Sequence, residues 1–445
     1  MPTVISLSKT LARLAIGLDR RPDLVASLTR RQSKAGSEET GERVTLVENT
    51  ANTIREAFKK CLSERSGQAS GLTQDGKPEG RKIGIYVTAN LCLKLFFHCR
   101  KLRSAEQLVG NINQQSPPLA LYPASQRVTY LYYLGRYHLA NNHFIRAQQA
   151  LQASYNQCHA RCPKQKRRIL IYLVTSNLIL GRFPSSSLLS RAEYTDMATK
   201  FKPLCALVRQ GDLASFRKYL DIETPSSNWF LQHRILLQLQ NRLEILVWRS
   251  LARRVFLLSG SQGGGETRVA PNLDLNDLLI VATSLERRAL GLEKTSNGSS
   301  SADPRICARH TNSIFMEKDT TNGTSTENRD PPGYCDPDLA DVGDEQPPYE
   351  LPTMETIESV VMSLVDQDLL HGFISHKSLR FAITGAKRAA DPVQIGFPKV
   401  CEVIQGRMEE HTEEVPGWVR QSNSQKPVLG GVVNLKGARP VGMGA

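Results

Sequence analysis

The sequence predicts a mainly α chain, a solenoid of helical hairpins that runs through one long helix into a C-terminal winged helix. Three observations predict it. Residues 125–158 read as two helices around a tight turn, Trp229–Leu258 as a single amphipathic helix, and residues 351–385 as helix, loop, strand, turn and strand.

Taken in order, the first 21 residues carry no acid before Asp19. They read as the first helix of the fold, a mitochondrial presequence being the alternative. Residues 33–42 form a polar linker. A helix follows over Arg43–Arg65, with Val44, Val47, Ile54, Phe58 and Cys61 as its apolar positions. Residues 66–80 are a second linker, rich in Gly, Ser and charge with nothing to bury. From Lys82 the chain is dense and helical, and residues 83–102 are apolar nearly all round, as an interior solenoid helix requires.

In residues 125–158, Leu134–Gly135 is followed by His138, Ala147, Leu151 and Ser154. That order resembles a tetratricopeptide-like repeat, in which small Gly135 and Ala147 let two helices approach and Asn141–Asn142 supplies the turn. Residues 164–183 read as a second helical pair closed by Pro184, and Gly211–Asp212 as a turn and N-cap. Serines 226 and 227 are expected to cap the long helix. Within Trp229–Leu258 there is no Gly or Pro, and Leu236, Leu239, Leu243, Leu246, Val247, Leu251, Val255 and Leu258 recur at steps of three and four. Arg242, Arg249 and Arg253 share another side of it.

Residues 273–290 read as a helix starting near Asp274 or Asn276. Residues 291–350 are then rich in Ser, Thr, Asn, Gly, Pro and Asp, and Glu317–Glu350 holds ten acids against Lys318 and Arg329. They read as a disordered acidic insertion. Order returns where Thr353 caps a helix with Ile357, Val360, Val361, Leu364 and Val365 inward and Gly372 as its end. Phe373–Ser375 then pairs with Leu379–Ile383 through His376–Lys377. The tail holds one short helix over Lys399–Glu410. The resulting domains are 1–80 (N-terminal helices and linkers), 81–228 (solenoid), 229–398 (winged-helix module with spine 229–258 and insertion 291–350) and 399–445 (tail).

A hairpin solenoid entering a winged helix resembles the PCI domain. The strings YYLGRYHLANNHFIRAQQAL, KRRILIYLVTSNLILGRFPS and LLHGFISHKSLRFAIT followed by GFP are similar to COP signalosome subunit twelve homologues, a family that includes the PCI subunit of the transcription-coupled mRNA export complex. The resemblance covers residues 80–290 and 350–398, and the insertion departs from the compact family form. It implies a non-catalytic scaffold that pairs with a second PCI-domain subunit and a small acidic disordered protein. Transcription elongation, splicing or mRNA export in the nucleus would be its setting, with the cytoplasm as a second compartment. The alternative is a signalosome-associated subunit that binds only proteins.

Charge points the same way. The net charge is +14, and from Gln107 to Ala192 there is no Asp or Glu against ten Lys and Arg. That one-signed stretch attracts an anion, either RNA or double-stranded DNA backbone or an acidic protein ribbon. Its densest part is Lys164, Lys166, Arg167 and Arg168, at a helix start where the dipole disfavours cations. On the winged helix, the exposed side of the recognition helix carries Glu355, Glu358, Ser359 and Asp366, and its carboxylates repel phosphates. Nucleic acid is therefore expected on Lys377, Arg380, Lys387 and Arg388, with Arg249, Arg253 and Arg254 from the spine, through backbone contact without base readout. Few aromatics interleave with these bases, so a stacking platform is weakly supported.

Enzyme chemistry finds no support. No metalloprotease or nucleophile-elbow motif occurs, and Gly263–Gly265 lacks the Lys and Ser/Thr of a phosphate loop. Cys158 and Cys162 with His138 and His143 lack a second spaced pair and read as packing residues, so no metal or cofactor is expected. The nine cysteines are scattered and read as free thiols in a reducing compartment. No run of 18 apolar residues exists, so no membrane partner is expected.

Overall fold

The computed structural model describes residues 1–21, 45–63, 78–261, 270–289, 351–385 and 391–410. The acidic insertion, the linkers before residue 78 and most of the tail lie outside the described residues. Residues 1–405 form one compact unit; of the second, 406–445, only the end of the final helix is described.

The N-terminal helices pack through small and apolar faces. Helix α1 (Pro2–Asp19) buries Ser8, Ala12 and Ala15 against α2 (Leu46–Leu62) and α3 (Ile85–Cys99). Thr45 starts α2, its hydroxyl accepting the Glu48 amide, and Val47, Ile54, Phe58 and Cys61 are buried as their spacing implied. Helix α3 is buried on nearly every side, and α4 (Arg103–Gln115) follows it.

The hairpin of α5 (Ala124–Ala140) and α6 (Phe144–Gln157) turns at Asn142, whose φ of 61° is left-handed. Its helices approach so closely that a Cβ on Gly135 would lie 2.8 Å from Leu151 Cδ2. The expected second pair over 164–183 is instead one helix, α7 (Pro163–Ile179). The apolar run continues unbroken to Gly181, where a φ of 71° reverses the chain. Helices α8 (Ser186–Leu189), α9 (Thr195–Gln210) and α10 (Leu213–Leu220) complete the solenoid. Gly211 (φ 71°) ends α9, and Asp212 caps α10 by accepting the Ser215 amide at 3.0 Å.

The spine is shorter than its sequence pattern. Residues 229–258 are not one helix: α11 (Asn228–Gln232) is separate from α12 (Leu236–Ser259). The break is a Schellman-type turn, in which Arg234 takes φ 57° and the Ile235 amide reaches back to the Phe230 carbonyl at 3.1 Å. Trp229 and Phe230 wedge edge-on against Phe201, at centroid separations of 5.7 and 5.6 Å, and hold α11 off the spine axis. Ile235, with no side-chain cap, begins α12; Ser227 instead donates to the Ile222 and Thr224 carbonyls. The buried stripe ends at Val255 and Phe256, and Leu258 is 80% exposed. Arg217 of α10 pairs with Glu244 of α12 and Glu286 beyond it, tying the solenoid to the module that follows.

That module is a winged helix: α12, β1 (Asn272–Asp274), α13 (Leu275–Ala289), α14 (Met354–Asp366), β2 (Gly372–Ser375), the wing turn, and β3 (Arg380–Ile383). The sheet order is β1-β3-β2, all antiparallel, with Leu273 opposite Phe381 and Ile374 opposite Phe381 on the other side. Strand β1 occupies residues expected as the start of a helix. Thr353 caps α14 as expected, accepting the Thr356 amide. The helix stops at Asp366, with Asp368 left-handed, and Gly372 opens β2 instead of ending the helix. Leu379 falls in the turn, leaving Phe381 and Ile383 as the inward residues of β3. Helices α15 (Pro392–Gly396) and α16 (Val400–Glu410) follow.

Buried side chains fall into two cores. One gathers α1 to α5 up to Tyr137, and the other runs from Leu139 through the spine to Phe397.

Candidate nucleic-acid and partner interface

The carboxylate-free stretch folds so that acids from just beyond it reach part of it. Lys166 lies 3.9 Å from Glu193, and Arg167 pairs with Asp196. Tyr155 Oη donates to Glu193 at 3.1 Å and accepts from Arg191 at 2.7 Å. Glu193 is held below the ordinary carboxylate range by a backbone N–H bond, then by Tyr155, Lys166 and Arg191. The densest basic cluster is thus half-neutralised internally. Lys164 and Arg168 are exposed on α7 and have no ion-pair partner among the described residues. A recess of about 370 Å³ lies between α6, α7 and the chain after it, lined by Arg182, Arg191, Tyr155, Asn156 and Phe183.

The spine arginines divide. Arg249 is a structural tie: its Nε donates to the Leu369 carbonyl at 3.2 Å, and Nη2 to the carbonyls of Phe397, at 3.0 Å, and Pro398. Burial, then neighbouring Arg253, lowers its pKa to about 10. A guanidinium bound to three carbonyls is not available to phosphate, which corrects its assignment to the nucleic-acid set. Arg253 is exposed; Arg254 is exposed and donates to Gln210 at 3.4 Å.

On the winged helix, Lys377 is exposed in the wing turn, while Arg380 faces Asp274 across the sheet at 3.8 Å. Lys387 and Arg388 lie outside the described residues. Glu355 and Asp366 are exposed on α14, and Glu358 holds His376 of the wing turn at 3.2 Å. An acidic α14 beside a basic wing favours phosphate on the wing.

His138 is half-buried with Nδ1 lacking a partner, and its pKa is lowered to about 4 by desolvation, then by Arg146 and His143. Cys158 is buried and Cys162 exposed, and no three metal-ligating side chains converge among the described residues. No described helix is long and apolar enough to cross a membrane.

Over 238 residues, about half of each chain, the sequence is 32% identical to a PCI domain-containing protein of Schizosaccharomyces pombe. It is 30% identical over 227 residues to a CSN12 homologue of Gibberella zeae, covering 49% of this chain and 46% of that one. The sequence is thus similar to PCI domain-containing proteins and CSN12 homologues. PCI domain-containing protein 2 of Xenopus laevis is 28% identical over 225 residues, 51% of each chain. No family model matches. The chain spans about half the length of the curated relatives it matches.

Sequence reasoning missed β1, the internal counter-ions Glu193 and Asp196, and a cluster of arginines on aromatic rings at the start of the spine. The only sequence trace of that cluster is Tyr132, Tyr133 and Arg136 at helical spacing.

Proposed function

We propose that the chain is a non-catalytic PCI scaffold subunit of a nuclear complex linked to transcription, splicing or mRNA export. It pairs with a second PCI-domain subunit, holds a small acidic disordered protein, and contacts RNA or DNA backbone without reading bases. The observation that carries this reading is the basic face of α7. Lys164 and Arg168 stand exposed in a stretch without carboxylates, and Lys377 of the wing and Arg253 of the spine are exposed as well. The acidic α14 and the absorbed Arg249 argue for backbone contact alone.

Charge reversal tests it. Lys164→Glu with Arg168→Glu, and separately Lys377→Glu, are expected to weaken single-stranded RNA in fluorescence anisotropy by about tenfold or more, since each removed phosphate contact costs a counterion-release increment. Unchanged RNA affinity in both variants would end the nucleic-acid reading.

A second reading is a signalosome-associated subunit that binds proteins alone. The recess that Arg182 and Arg191 help to line supports it, because a polar, bounded site suits an acidic peptide better than a continuous strand. Loss of the acidic partner from the Lys164/Arg168 variant in pull-down, with RNA binding intact, would favour that reading.

A further inference from the structure

The two cores meet near Phe97, with Arg136 and Arg234 in contact with it and Arg100 at the end of its helix. Arg234 donates to the Phe97 carbonyl at 3.1 Å. Arg136 lies over the Phe97 ring at 4.3 Å and over Tyr172 at 4.7 Å. Arg100 is three residues beyond Phe97, at the end of the same helix. Tyr133 stacks on Phe97 at 5.7 Å, and Tyr132 meets Tyr133 edge-on at 5.1 Å. Arg168 stands one turn before Tyr172 on α7. None of the four has an ion-pair partner among the described residues, and Arg100, Arg168 and Arg234 are exposed.

Backbone strain marks the same place. Arg100 and Arg234 both have positive φ, 62° and 57°, and each occupies the left-handed position that ends a helix. Glycine is the default there, and the chain uses it at Gly181 and Gly211. A bulky residue at such a position is strained, and strain retained at both arginines points to a ligand.

We propose that the exposed arginines Arg100, Arg168 and Arg234 around the Phe97–Tyr133 stack form a receptor for a phosphomonoester on a partner protein, a phosphoserine or phosphothreonine side chain. A phosphomonoester carries nearly two charges and three acceptor oxygens, matched by guanidinium forks. A nucleic-acid strand fits less well. Arg136 covers Phe97 and Tyr172, and Tyr133 stacks on Phe97, so the rings offer bases little open face. Arg168 is shared with the basic face of α7 proposed for RNA, whereas Arg100 and Arg234 are not, so Arg100→Gly separates the two readings.

The test is fluorescence anisotropy of the full chain with degenerate-flank peptides bearing a central phosphoserine, serine or glutamate, beside a U-rich single-stranded RNA. The phosphoserine pool is expected to bind at least about tenfold tighter than the serine pool, with free O-phosphoserine competing. Arg100→Gly abolishes that preference while raising Tm, because glycine relieves the left-handed strain; RNA binding is unchanged. Arg168→Gln, at an exposed and unstrained site, weakens the preference without a change in Tm. Equal binding of the pools overturns the proposal, as does a preference that survives both substitutions. RNA affinity that falls in Arg100→Gly, with no phosphopeptide preference in the parent, overturns it in favour of a strand.

Discussion

Gly211 is where the solenoid presses most closely on the spine, and replacing it with alanine tests how the two are joined. Its φ of 71° is left-handed, which costs an L-residue about 1–2 kcal/mol. A Cβ there would lie 2.5 Å from the Leu251 amide nitrogen and 2.7 Å from Leu251 Cα, both backbone atoms of α12. Helix backbone cannot swing aside as a side chain can, so the turn must lift off the spine, an overpacking cost of roughly 1–3 kcal/mol. Together these give a loss of about 2–5 kcal/mol from a total stability of order 5–15. Gly110 supplies the opposite case. It lies inside α4 with nothing within 4 Å of a Cβ, so Gly110→Ala should gain about 0.5–1 kcal/mol. Urea denaturation of parent and both variants reads the difference. A Gly211→Ala midpoint within about 0.5 kcal/mol of the parent, or the same sign for both variants, would refute the close approach.

Arg249→Met leaves three part-buried carbonyls without their donor and is expected to destabilise by about 2–4 kcal/mol. Hydrogen exchange should rise around Leu369 and Phe397, and an unchanged exchange pattern there would count against the tie. His138, with its pKa lowered to about 4, is neutral in the fold while the unfolded chain protonates near the ordinary value of 6.5. Its stabilising contribution is therefore complete above about pH 6.5 and lost as pH falls toward 4, amounting to about 1–2 kcal/mol after discounting partial exposure. His138→Gln should flatten urea midpoints across that window, whereas parallel curves for parent and variant would refute it.

What was legible in the sequence was what periodicity and local chemistry decide. The α5–α6 hairpin, the Gly211–Asp212 turn, the Thr353 cap and the paired wing strands each follow from residues within one or two turns of one another. The spine was over-read, because periodicity continues through residues 229–235 while tertiary wedging by Trp229 and Phe230 decides the break. Arg234 carries no glycine to announce a left-handed helix end. Strand β1 is three residues long and exists by pairing with β3, more than a hundred positions later. The site was half legible for the same reason. A missing carboxylate is visible along the chain, but the acids that fold back onto it, Glu193 and Asp196, lie just past the counted stretch. Arg249 looked like its neighbours until the carbonyls of residues 369, 397 and 398 were brought to it.

The most direct test of the central claim, that this PCI-like chain holds the phosphate backbone of nucleic acid through unpaired cations, is the salt dependence of single-stranded RNA affinity. Among the described residues, Lys164, Arg168, Arg253 and Lys377 are the exposed candidates without an ion pair or carbonyl tie, so about four phosphates are neutralised. The predicted slope of log affinity against log salt is about −3, falling toward −1 in a variant with Lys164, Arg168 and Lys377 reversed. A flat dependence between about 50 and 200 mM salt, or an unaltered slope in that variant, would contradict the account.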